Sequence, residues 1–301
     1  MSQVRPTARA RSEMQYNLKA FATWSHEMAY ALGLFFSDGC LQQPPHGSLR
    51  VSISNTDLET VEWWHSYLGN PNHIYTHNPK VLKGSVRRLV LYTSTVTSDT
   101  LGGQIQKLGG CFRKSVSDVG MPDIPEEFLG SFLRGFFDGD GGIWIGLGKG
   151  MLGGKQLCAS LTCNSQRFRQ DLVDLLAARG IHSAKSRITL RISGSSAERL
   201  CTWMYETPGH RMTRKHDVWV EWKAHREAHG GLIVESDPWA SLRGFRPQPW
   251  HPLVGTMSDR VLAKQLGLSH STVSVARLKL GIPPCCRGKQ GIPSVQQEKV
   301  T

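Results

Sequence analysis

The sequence predicts an α+β protein: two consecutive units of αββαββα order, followed by a small all-α module. Two observations carry this. The first is an internal repeat, in which Ala31-Leu32-Gly33-Leu34-Phe35-Phe36-Ser37-Asp38-Gly39 matches Leu133-Arg134-Gly135-Phe136-Phe137-Asp138-Gly139-Asp140-Gly141 in its glycine, large apolar and Asp-Gly positions. The offset, from Asp38 to Asp140, denotes a duplicated unit of about a hundred residues and not a solenoid. The second is that hydrophobic periodicity after each copy runs strand, strand, helix, strand, strand, helix, which excludes an alternating parallel sheet.

The elements follow in order. Residues 1–15, with Arg5, Arg9 and Arg11 and little apolar content, read as a basic N-terminal arm. The first unit, 16–120, has its repeat helix, then a Pro-Pro-containing turn at Gln42–Gly47 and a strand at Leu49–Ser54. A helix at Asp57–Leu68 follows, then strands around His73–Thr76 and Val86–Tyr92 and a helix ending near Gly109-Gly110. The second unit, 121–234, carries Ile143–Ile145, a Gly-rich turn, a strand at Gln156–Cys163, a helix at Gln166–Arg179 stopped by Gly180, a strand at Ile188–Ser193 and a helix at Ala197–Tyr205. Residues 235–252, with four prolines and two tryptophans, read as a linker. In 253–284, helices at Ser258–Leu266 and from Ser269 to about Leu280, with Gly267 between them, predict a helix-turn-helix, and 285–301 a tail.

Composition narrows the class of partner. The formal net charge is +12, and residues 243–301 alone hold nine Lys or Arg against two Asp or Glu, so a polyanion such as nucleic acid is favoured. No run approaches the ~18 apolar residues of a membrane span, and Met1-Ser2-Gln3-Val4-Arg5 opens no apolar signal core, so the expectation is a protein of the cytoplasm, nucleoid or an organelle matrix, not secreted or in a membrane. The seven cysteines lack a C-x-x-C pair, which argues for free thiols over zinc or disulfides. There is no P-loop, and the glycines of 139–142 follow a helix where a dinucleotide fingerprint would follow a strand.

The repeated Asp-Gly helix ends carry the chemistry. If Gly33 and Gly135 let the two helices pack closely, Asp38 and Asp140 meet at their C-terminal ends. Two carboxylates there repel unless a hard divalent cation joins them, and such a pair can hold Mg²⁺ or Mn²⁺ against a scissile phosphate.

On these residues the chain resembles the LAGLIDADG homing endonucleases in their single-chain, two-motif form. The copy Phe132 to Gly141 is near consensus; the copy Leu32 to Gly39 keeps the penultimate Asp but has Phe36 where an acidic residue is frequent. The resemblance spans roughly residues 20–227 and implies saddle-shaped antiparallel sheets and a monomeric, site-specific double-strand endonuclease acting on double-stranded DNA. It implies metal ligation by Asp38 and Asp140, a packing or capping role for Asp138, and catalytic lysines at Lys114 and Lys215. It also implies a polar contact to active-site solvent from Ser54 or Asn55 and from Cys163 or Asn164. Strand residues Arg50, Ser52, Ser54, Arg87, Arg187, Thr189 and Arg191 would face the major groove. Ser271, Thr272, Ser274, Arg277 and Lys279 would form the reading face of the helix-turn-helix. A non-cleaving DNA- or RNA-binding regulator or maturase is the alternative on the same fold.

Overall fold

The structure, a computed structural model, describes residues 15–81, 88–112, 117–147, 155–228, 250–268, 270–280 and 282. The chain divides into two compact units, 1–233 and 234–301. The basic arm, Arg87, Lys114, most of the linker and the tail lie outside the described residues, as do the side chains of Ser271 and Lys279.

The first unit is built on two helices, α1 (His26–Asp38) and α4 (Leu129–Asp140). Ser25 starts α1 by accepting the Met28 N–H on its side chain, and every residue from Met28 to Phe35 is buried, as befits a helix apolar on all sides. The two helices pack backbone to backbone. A Cβ on Gly33 would stand 2.1 Å from the Phe132 carbonyl oxygen, and one on Gly135 2.1 Å from that of Tyr30, so only glycine permits this approach at either position.

After α1 come β1 (Gly39–Gln42), β2 (Arg50–Asn55), α2 (Leu58–Tyr67), β3 (Tyr75–Val81), β4 (Arg88–Thr97) and α3 (Asp99–Lys107). After α4 come β5 (Gly141–Leu147), β6 (Lys155–Thr162), α5 (Gln166–Ala178), β7 (Ala184–Lys185), β8 (Thr189–Ser193) and α6 (Ser195–Glu206). The strands form two antiparallel four-stranded sheets, ordered β1-β2-β4-β3 and β5-β6-β8-β7. One face of each sheet supplies the core: Val51, Ile53 and Val96 in the first, Leu157, Ala159, Leu161, Leu190 and Ile192 in the second. A single apolar cluster runs through both sheets and the helices.

The expected elements are present with shifted bounds, β4 running five residues beyond its expected end at Tyr92. One element departs from the equal-unit expectation. A further helix, α7 (Thr213–Ala228), closes the second half. It buries Lys215, Trp219, Trp222 and Arg226, a stripe whose two charged members mask the helical period in the sequence. Each charge is paired: Arg226 lies 3.0 Å from buried Glu198, which also accepts the Trp222 indole N–H at 2.9 Å.

The second unit has a short 3₁₀ turn at His251–Leu253 and helices α8 (Asp259–Leu266) and α9 (His270–Lys279). Gly267, in the left-handed region at φ 65°, ends α8 while Leu268 donates back to the Ala263 carbonyl. Val254, Leu262, Ala263 and Val273 form its core. No helix among the described residues is long and apolar enough to cross a membrane.

Candidate active site

The C-terminal ends of α1 and α4 abut. A Cβ on Gly139 would lie 2.0 Å from Ser37 Oγ and 2.8 Å from Asp38 Oδ2, so the Asp38 carboxylate rests against the backbone next to Asp140. Both aspartates are half-exposed. Asp38 Oδ2 accepts a hydrogen bond from Asn55 Nδ2 at 2.7 Å. Of the two residues expected to serve this position, Asn55 at the end of β2 reaches the site, whereas Ser54 faces the opposite side of the sheet and bonds Thr93 Oγ1 at 2.7 Å. Cys163 and Asn164 line, with Asp140 and Ser37, a cavity of about 80 Å³.

Behind Asp140 lies a buried polar cluster. Asp138 Oδ2 accepts from Tyr30 Oη at 2.8 Å and from the Met212 N–H at 2.9 Å. Burial pushes its carboxyl up to about 6, opposed by these bonds and by Lys215 and Arg134. It therefore ties the start of α7 to both central helices, a packing and capping position like the one expected for it. Arg134 donates to the carbonyls of Met204, Thr207 and Pro208, fixing the segment after α6.

Lys215 does not extend into solvent. Its Nζ donates to the carbonyls of Phe137 (2.6 Å), Asp138 (2.8 Å) and Gly141 (2.6 Å), so its three protons are committed to the end of α4. Burial lowers it to about 8, while Asp138, Asp38 and Asp140 act in the opposite direction. Its charge is thus felt by both carboxylates, but its position is that of a helix cap.

A divalent cation fits the donors present. Among the described residues no group of three or more His, Cys, Asp or Glu is gathered to hold a metal. Two half-exposed carboxylates at helix C-termini are hard, anionic donors that would leave the remaining coordination to water and phosphate oxygens, the habit of Mg²⁺.

The sheet faces turned away from the core hold most of the strand residues expected to meet DNA. Arg50, Ser52 and Ser54 share one face of the first sheet; Thr189 and Arg191 lie on the corresponding face of the second, and Arg187 is exposed in the turn before β8. Tyr75, Leu89, Leu91 and Trp144 are exposed on the same faces. Sequence reading passed over these four, although large apolar residues at the polar positions of a strand are a signal of a contact surface.

In the second unit two expected reading-face residues turn inward. Arg277 Nε donates to both Asp259 oxygens at 3.0 and 2.8 Å, and Ser274 Oγ donates to the same carboxylate at 2.7 Å. Both are thereby engaged in joining α9 to α8, because Asp259 offers a buried acceptor one helix away; Thr272 stays exposed.

Residues 127–202 match the LAGLIDADG-like domain. That segment contains α4 with Asp138 and Asp140, and ends before α7. No curated protein matches the chain. Among solved structures, the homing endonuclease I-WcaI bound to its DNA recognition sequence is similar at 10% identity and a TM-score of 0.46, over 71% of this chain and 94% of that chain. The LAGLIDADG meganuclease I-AabMI bound to uncleaved DNA is similar at 15% identity and a TM-score of 0.44, over 66% and 92% of the two chains.

Proposed function

We propose that this chain is a site-specific double-strand DNA endonuclease of the LAGLIDADG homing type, acting as an intracellular monomer with Mg²⁺ or Mn²⁺. The observation that carries the reading is the meeting of Asp38 and Asp140 at the abutting ends of two glycine-crossed helices. The match over 127–202 supports it for the half that holds Asp140.

In this reading Asp38 and Asp140 are the metal ligands. The bound cation would polarise the scissile phosphate and lower the pKa of an attacking water. Lys215 keeps the end of α4 in place and adds positive potential beneath the carboxylates. Lys114 is proposed for the equivalent service in the first half. The outer sheet faces, through Arg50, Ser52, Ser54, Arg87, Arg187, Thr189 and Arg191, would lie along the major groove as a saddle. The second unit would add a helix-turn-helix contact through exposed Thr272, with Ser271 and Lys279.

Asp38→Asn and Asp140→Asn test the site. Each should abolish double-strand cleavage while DNA affinity stays within roughly tenfold, since the substitution removes a metal ligand and not a DNA contact. Full cleavage by both variants would remove the assignment. The alternative, a non-cleaving binder or maturase on this fold, is favoured by one departure: Phe36 takes the place of an acidic residue and packs on Phe132 and Phe168. Specific binding without cleavage by the unaltered protein would establish it.

A further inference from the structure

We propose that Asn55 is a positioning residue for Asp38, and that Cys163 occupies the matching place beside Asp140 without supplying the same bond, so that the two DNA strands are cut at unequal rates. This rests on the endonuclease reading above.

The correspondence is one of register. Gly39, which follows Asp38, faces Ile53 across β1 and β2; Gly141, which follows Asp140, faces Leu161 across β5 and β6. Two residues beyond those partners stand Asn55 and Cys163. Each also lies two residues before the N-cap of the next helix, Asp57 for α2 and Ser165 for α5.

What fills the place differs. Asn55 Oδ1 accepts the Asp57 N–H at 2.7 Å, which can only be the carbonyl end of the amide. Its NH₂ is therefore the group 2.7 Å from Asp38 Oδ2, a charge-assisted bond that fixes the carboxylate's orientation. Cys163 has a single weak donor, its Sγ lying 3.6 Å from the Ser165 carbonyl. Beside Asp140, then, a thiol and a cavity stand where an amide stands beside Asp38. A ligand held in one orientation meets its metal and phosphate at less entropic cost than one that must be ordered on binding.

The test uses a duplex carrying a site cleaved by the full-length protein, each strand end-labelled in turn, in Mg²⁺ under single-turnover conditions. The unaltered protein should cut one strand faster. Asn55→Leu should slow that strand by about tenfold or more, the effect of a lost hydrogen bond to a charged group, and leave the other within about twofold. Cys163→Asn should accelerate the slower strand and narrow the gap. Mn²⁺ bound to the protein–DNA complex, measured by electron paramagnetic resonance, should be weakened by Asn55→Leu and strengthened by Cys163→Asn. A merely structural Asn55 would slow both strands together. An unchanged strand ratio in both variants, or equal rates in the unaltered protein, overturns the positioning proposal alone. Failure to cleave any site overturns the endonuclease reading and the proposal with it.

Discussion

Asp138 and Phe36 occupy the same position of the repeat, yet one is a buried carboxyl on Tyr30 and Met212 and the other a ring on Phe168. The difference follows from α7, whose first turn brings an N–H and an ammonium to the end of α4. Burial of Asp138 has a consequence for stability. Its carboxyl is raised from 3.8 to about 6, so the folded state holds a proton that the unfolded chain has released. Its contribution is fully present below about pH 4 and is lost as pH rises through 6. Asp138→Asn should remove this dependence: in urea unfolding, the stability gap between variant and parent should shift in favour of the variant from pH 4 to pH 7, by a few kcal/mol at most. A gap constant with pH would mean that Asp138 is not held protonated by burial. The residue identities at the site were legible because two aspartates recur at one spacing. The partners of Arg277 and Ser274 were not, since the sequence does not say that Asp259 would stand opposite them.

The crossing of α1 and α4 places both aspartates, and it depends on two missing side chains. Gly33→Ala or Gly135→Ala would drive a Cβ into a facing carbonyl, so the helices must separate; the expected loss is about 3 kcal/mol or more by denaturant unfolding. Gly103→Ala in α3 is the control. Nothing lies within 4 Å of its Cβ, and the change should stabilise by up to about 1 kcal/mol through helix propensity. Equal effects at the three positions would contradict the close crossing. The two sheets and their helices were legible from alternation and helical spacing, and β2 alternates as read. α7 was not, because Lys215 and Arg226 sit in its buried stripe; their partners, helix-end carbonyls and Glu198, come from distant sequence. Charged core positions satisfied by tertiary contacts defeat periodicity, which sees only apolar ones.

At the scale of the molecule, the charge of +12 is the property that binding should register first. Affinity for the target should fall steeply with salt, as phosphate contacts release counterions. Truncation after residue 233 removes the second compact unit whole. The truncated protein should bind with lower affinity, protect a shorter stretch in footprinting and still cut; an unchanged footprint would remove the second unit from DNA recognition. The central claim is that Asp38 and Asp140 together make a metal-dependent nuclease site. It is tested most directly by incubating the protein with a randomised duplex pool and Mg²⁺ and sequencing the cleaved ends, beside Asp38→Asn and Asp140→Asn. The account predicts one recurrent cleaved motif for the parent, lost on chelation of Mg²⁺ and lost in both variants. Cleavage that survives in both variants, or a pool left intact by the parent, would contradict it.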